Sequence, residues 1–308
     1  MATSPFLEES SARTLVAGDL QAVLLPAHGM LVASLRYQGV EILRRVEDLE
    51  AAAARGSSAG IPLLYPWANR LAESRYRVLG REVVLDRSSP LLHFDEQRLP
   101  MHGVPWPLLP WRVIGARPDF LRAQLDWSSS HLLAVFPFRH RVELAATLCP
   151  ASLTLDTTVV ASAESPVPVS FGFHPYLGFS APARAHWQLQ LPAMRKLVLD
   201  GRGIPTGEEE PFAGFNAELG ESSFDDGFAL REEQTTFSVR GATCKVSVEL
   251  LAGYRHAQVF APKDTDYIAL EPMTAPASAL TSGRGLRFVS PGERFQAVFR
   301  IRIERARG

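Results

Sequence analysis

FRHRVELAATLC, residues 138–149, runs through a short break at Pro150-Ala151 into SLTLDTTVV, residues 152–160. In the first segment Phe138, His140, Val142, Leu144, Ala146 and Leu148 fall on one side of a two-residue period, and Arg139, Arg141, Glu143 and Thr147 on the other. Successive side chains of an extended chain point to opposite faces, so this pattern is a strand with one face buried. Leu153 and Leu155 alternate with Thr154 and Asp156 in the second segment, and the pair reads as an antiparallel hairpin. The same period recurs in TCKVSVEL, where Cys244, Val246, Val248 and Leu250 oppose Lys245, Ser247 and Glu249. RYRVLGREVVLD (75–86) predicts a third hairpin turning at Gly80-Arg81, and GERFQAVFRIRIE (292–304) a closing strand. Helical periodicity is weak outside the alanine-rich stretch from Glu47 to Arg55.

Many short strands, punctuated by 22 glycines and 23 prolines, predict an all-β fold, a large antiparallel β-sandwich. With no internal repeat or low-complexity linker, the 308 residues are expected to form a single domain, 1–308. An apolar fraction of 46% and a charged fraction of 21% exclude a disordered chain. The net charge of -1, with both signs interspersed, lacks the basic stripe that a phosphate backbone requires, so no nucleic-acid partner is expected. MATSPFLEES is not a secretory leader, and no uncharged apolar run reaches the roughly 18 residues of a membrane span. A cytoplasmic protein without a membrane partner is expected, and its oligomeric state is left open. Cys149 and Cys244 are too few and too far apart for a disulfide framework or a zinc cage, and are expected to be reduced and partly buried.

Chemistry-bearing residues gather in four segments. In VPVSFGFHP the period puts Val167, Val169, Phe171 and Phe173 toward the core, and Pro168, Ser170, Gly172 and His174 on a face of small side chains with room for a ligand. Pro175, with no ladder donor, ends that strand. By itself the stretch fits either a core histidine or half of an acid/base pair. In DYIALEPMT, Glu271 shares a face with Tyr267 and Ala269 before Pro272, and on its own reads as a surface carboxylate; burial would raise its proton affinity. GIPLLYPWANRL is a non-periodic loop expected to present Trp67, Asn69 and Arg70 together, a set suited to stacking on a sugar and donating to its hydroxyls. The bland alternative is a proline-pinned loop with Arg70 in an ion pair. MHGVPWPLLPW sets His102 beside Gly103, near Trp106 and Trp111.

In order along the chain, P-x-x-N-R at Pro66 to Arg70, H-G at His102-Gly103, G-x-H-P-Y at Gly172 to Tyr176, F-D-D-x-F at Phe224 to Phe228 and E-P-x-T at Glu271 to Thr274 resemble the motifs of the aldose 1-epimerase (mutarotase) family. S-P-G-E at Ser290 to Glu293 is similar to its closing motif. The resemblance implies a galactose mutarotase-like supersandwich with a sugar in an open cleft, and neither cofactor nor metal. It implies His174 as general acid at the ring oxygen and Glu271 as general base at the anomeric hydroxyl. Arg70, His102, Asn69 and one aspartate, Asp225 with Asp226 as the alternative, would hold the other hydroxyls. Met273 stands where family members acting on free hexoses often carry glutamine, and the family's downstream asparagine is absent from APASALTSG, which bears on the choice of sugar. A hexose-6-phosphate 1-epimerase of the same fold would need extra cations, for which Arg184, Arg195, Lys196 and Arg202 are candidates. A non-catalytic sugar sensor would have no use for a matched acid and base. A glycoside hydrolase usually uses two carboxylates, whereas the partner here is histidine.

Overall fold

The computed structural model describes residues 12–44 and 59–306; the helix expected from Glu47 to Arg55 lies outside the described residues. His140–Cys149 and Ser152–Ala161 form the expected hairpin, with Val142 opposite Val159 and Leu148 opposite Leu153. That hairpin sits inside a nine-stranded sheet. Phe120–Trp127 and Arg112–Arg117 extend it on one side, while Arg294–Arg305, Cys244–Ala252, Thr235–Arg240, Gln188–Leu191 and Phe215–Glu218 follow on the other. The closing strand is therefore central rather than peripheral, and its alternating Ala297, Phe299, Ile301 and Ile303 are buried.

An eight-stranded sheet carries the order Pro205–Phe212, Met194–Leu199, Phe224–Ala229, His256–Ala261, Ile268–Met273, Gly172–Phe173 and Leu63–Leu64, with Tyr176–Leu177 paired to Ile268–Met273. A four-stranded sheet is built from the segments between Arg13 and Glu41. All pairings between these strands are antiparallel among the described residues. The two large sheets pack face to face: Phe173 of one and Phe299 of the other have ring centroids 5.0 Å apart. One hydrophobic cluster draws residues from Leu15 to Ile303, so both sheets bury their apolar faces in the same core.

Local corrections follow from tertiary pairing. The Arg75–Val84 hairpin turns at Leu79-Gly80, not Gly80-Arg81, because Val78 pairs with Arg81 and the two turn residues take the positive φ values, 53° and 75°, that tight hairpin turns demand. The stretch from Val167 to His174 is not one strand: Val167–Val169 pairs with Arg287–Val289, and Gly172–Phe173 joins the eight-stranded sheet. Pro272 does not end its strand, which runs on to Met273. Cys149 is exposed and Cys244 buried, and both are free thiols. Trp67 is fully buried, so the loop presents Arg70 without the aromatic partner expected beside it.

Candidate active site

Sheet register decides which side chains meet. Gly227 pairs with Gln258 and Gln258 with Glu271, which sets these three in one row across neighbouring strands. Asp225, Phe260, Ala269 and Tyr176 form the next row on the same face. Asp226, Val259 and Leu270 lie between the rows and so point the other way, where Val259 and Leu270 join the core and Asp226 pairs with Lys196 at 2.8 Å. Asp225 alone of the two aspartates is on the face of Glu271, and its Oδ1 accepts a 2.7 Å hydrogen bond from Gln258 Nε2.

Glu271 is 2% exposed, so it is not the surface carboxylate its local sequence suggests, and His174 is buried as well, at 6%. Side chains packed over this face of the sheet leave Glu271 almost no contact with bulk water. His174 Nε2 lies 3.2 Å from Glu271 Oε1. The His174 ring is stacked on Tyr176, centroids 3.9 Å apart, and stands edge-on to His102 at 5.9 Å. Burial depresses the proton affinity of His174 well below its ordinary 6.5, and the Arg44 guanidinium acts the same way. Burial likewise raises Glu271 well above the carboxylate range; Asp225 raises it further and Arg70 opposes. His174 Nδ1 and Glu271 Oε2 are buried without a protein partner. Unpaired buried polar atoms are costly, and a site that binds a polyhydroxylated ligand is one place where they persist.

Asn69, Arg70 and His102 form a second cluster. Asn69 N–H donates to His102 Nδ1 at 3.1 Å, and His102 N–H donates to the Asn69 carbonyl at 3.0 Å. Both residues hold positive φ, 58° and 61°, a conformation that asparagine and histidine tolerate better than most and that concentrates at functional sites. Gly103 follows with φ 69°; a Cβ there would lie 2.2 Å from the Tyr65 carbonyl oxygen, so the H-G motif requires glycine for close backbone approach. Because Nδ1 of His102 accepts a backbone N–H, its ring must carry its proton on Nε2. Burial, then His93 and Arg70, push its proton affinity down to about 3, which makes it a neutral fixed donor rather than an acid. Arg70 is held by Asp95, Nε to Oδ2 at 2.7 Å, and its backbone N–H donates to Asn69 Oδ1 at 2.7 Å. A cavity beside the strand Ile268–Met273 is lined by Asn69, Arg70, Asp225, His256, Gln258 and Met273.

Residues 13–302 match the family model for aldose 1-epimerase. The chain belongs to the aldose 1-epimerase family. It is 24% identical over 302 residues, 94% of this chain and 92% of the other, to the uncharacterized protein YihR of Escherichia coli strain K12. Among solved structures it is similar to a galactose mutarotase-like protein from Clostridium acetobutylicum, with TM-score 0.83, 19% identity and 95% coverage of each chain. It is also similar to galactose 1-epimerase from Lactobacillus acidophilus NCFM, with TM-score 0.75, 15% identity and coverage of 96% and 95%. At these identities the structures show the fold. As in the mutarotase-like relatives, antiparallel sheets dominate the chain.

Within this aldose 1-epimerase family member, His174, Glu271, Asp225, Arg70, Asn69 and His102 converge from five separate segments. Sequence reasoning missed Asp95, Gln258 and Arg44. Gln258 sits in AQVFA, where its place on the face opposite Val259 was readable, but nothing local says that this face meets Glu271. Arg44, whose guanidinium is 4.5 Å above the Tyr267 ring, and Asp95 carry no sequence signal at all. Among the described residues no group of three or more His, Cys, Asp or Glu side chains is arranged to hold a metal ion.

Proposed function

We propose that this protein is an aldose 1-epimerase that interconverts the α and β anomers of an aldose, with His174 and Glu271 moving the protons. The observation that carries the reading is the buried 3.2 Å contact between His174 Nε2 and Glu271 Oε1, which sets two groups able to exchange protons side by side in the site. Their reacting atoms on the sugar, the ring oxygen O5 and the anomeric oxygen O1, are bonded to one carbon, so a donor and an acceptor in adjacent positions can serve both.

The pair shares one proton. With it on His174, Glu271 takes the O1 proton as the C1–O5 bond breaks, and O5 takes the proton from Nε2 of the imidazolium. The open-chain aldehyde then faces a neutral imidazole and a protonated carboxyl group, the combination that burial favours. Rotation about C1–C2 turns the other face of the carbonyl toward the O5 hydroxyl. Closure reverses the transfers: the carboxyl returns a proton to O1, His174 accepts the O5 proton, and the starting protonation is restored. No redox change and no covalent adduct occur. Arg70, the neutral Nε2–H of His102, Asn69 and Asp225 would bind the remaining hydroxyls.

In the phosphorylated-substrate alternative each candidate cation already has a partner within the protein. Arg184 donates to the backbone carbonyls of Gly220, Ser222 and Ala261, Arg195 pairs with Glu209, Lys196 with Asp226, and Arg202 with Asp200. Polarimetry of freshly dissolved α-D-glucose and α-D-galactose tests the proposal. The wild type should speed anomer equilibration, and His174→Asn and Glu271→Gln should each lower kcat by about 10² to 10⁴. Near-normal turnover by either variant would remove that residue from the mechanism.

A further inference from the structure

A polar contact crosses the apolar core beneath the site. Tyr65 and His140, both buried, are joined by a hydrogen bond between Tyr65 Oη and His140 Nε2. His140 Nδ1 lies 2.6 Å from the Phe138 carbonyl oxygen, which only accepts, so Nδ1 carries the proton. Burial keeps the ring neutral, its proton affinity lowered to about 4, so Nε2 is a bare acceptor and the Tyr65 hydroxyl is the donor. The bond spans the two large sheets: Tyr65 directly follows Leu63–Leu64 of the eight-stranded sheet, while His140 opens a strand of the nine-stranded one. The rings of Trp127 and Phe171 flank it, their centroids 5.4 Å and 5.9 Å from that of Tyr65.

The backbone of Tyr65 supports the cluster of Asn69, Arg70 and His102. Its carbonyl accepts the Val104 N–H at 2.8 Å, and Gly103 packs so close to the same oxygen that no Cβ would fit, so the turn bearing His102 rests on Tyr65. Downstream, Ala68 N–H donates to the Ser170 carbonyl at 2.7 Å, and Asn69 and Arg70 follow directly. Apolar packing is non-directional and would let this segment settle at several heights above the core, whereas a hydrogen bond with donor and acceptor both fixed selects one. Resting on the epimerase reading, we infer that Tyr65 and His140 are positioning residues: their buried bond sets the P-x-x-N-R segment and the His102-Gly103 turn at one height, and so holds Asn69, Arg70 and His102 where a sugar's hydroxyls meet them. Neither side chain lines the cavity, so their effect on the sugar passes through that cluster.

The test reads kcat and KM by polarimetry well below the melting temperature, together with NMR amide exchange of Asn69, His102 and Val104, whose N–H groups make the bonds between the two segments. Tyr65→Phe and His140→Leu should each raise KM about tenfold, the order of one lost hydrogen bond, with kcat changed far less because the hydroxyls are held equally in ground and transition states. His140→Gln, whose amide can accept from Tyr65 and donate to Phe138 as the neutral ring does, should keep KM within about twofold of the wild type. Tyr65→Phe combined with His140→Leu should be no worse in KM than either change alone, because both remove the same bond. The three amides should exchange faster in Tyr65→Phe and at the wild-type rate in His140→Gln. A lowered melting temperature with unchanged KM in Tyr65→Phe, or His140→Gln as impaired as His140→Leu, overturns the inference; Tyr65→Phe decides alone if the leucine variant does not fold. Wild-type protein that neither turns over nor binds any aldose overturns the epimerase reading, whereas unchanged amide exchange in Tyr65→Phe overturns the positioning role independently of any sugar.

Discussion

Asp95→Ala tests whether the binding arginine is held by design of the fold. Arg70 and Asp95 are 2.7 Å apart with side chains 20% and 8% exposed, and Asp95 Oδ1 also accepts the Leu99 N–H at 2.8 Å. Removing the carboxylate leaves a largely desolvated guanidinium without its counter-charge and a backbone donor without an acceptor. Losing one partner of a buried pair costs 3–5 kcal/mol in general; the residual exposure of Arg70 puts this site at the lower end, about 3 kcal/mol. At about 2.1 cal/mol/K of unfolding entropy per residue, the 308 residues give about 0.65 kcal/mol/K, so the melting temperature should fall by about 4 to 5 °C. The same variant should raise KM about tenfold, since about 1.4 kcal/mol of lost ground-state positioning of Arg70 is a factor of ten. Scanning calorimetry and sugar-dependent polarimetry read the two effects. Glu73→Gln is the internal control: its partner Arg75 and Glu73 itself are 66% and 52% exposed, so water screens that pair and the melting temperature should not move. If Asp95→Ala melts with the wild type and binds sugar equally well, the argument that this ion pair positions Arg70 is wrong.

Other outcomes follow from the same geometry. Asp225→Asn should raise KM strongly, whereas Asp226→Asn, on the opposite face of its strand, should lose only its contact with Lys196 and keep full turnover. Equal loss in both would contradict the register of this strand. Acid sensitivity should come from buried imidazoles: His140, bonded to Tyr65 and stacked on Trp127 at 5.6 Å, has its proton affinity lowered by burial to about 4. The unfolded chain takes up that proton near 6.5 and the folded chain resists, so its contribution is present above pH 6.5 and is lost as pH falls from 6.5 through 4. At about 1.4 kcal/mol per unit the loss approaches about 3 kcal/mol. Urea melts of the wild type and His140→Gln between pH 7 and 4 should show a flatter dependence in the variant; parallel curves would exclude His140 as the source.

Alternation determined the strands and, within each, the two faces: Val142 and Leu144 against Arg141 and Glu143, Ile268 and Leu270 against Ala269 and Glu271. Such patterns are local because a strand's side chains alternate whatever its neighbours are; His174, Glu271, Arg70 and His102 were legible through short motifs that resemble those of a known family, not through any period. Local pattern does not say which strands become neighbours. Only the sheet order put Gln258 beside Glu271, turned Asp225 rather than Asp226 toward it, and brought Asp95 from a loop onto Arg70. Burial, too, belongs to the assembled sheets. Glu271 reads as a surface carboxylate until strands close on both sides of it, and that loss of water gives the pair its opposed proton affinities. Short motifs singled out His174 and Glu271; tertiary packing buried them and set them 3.2 Å apart.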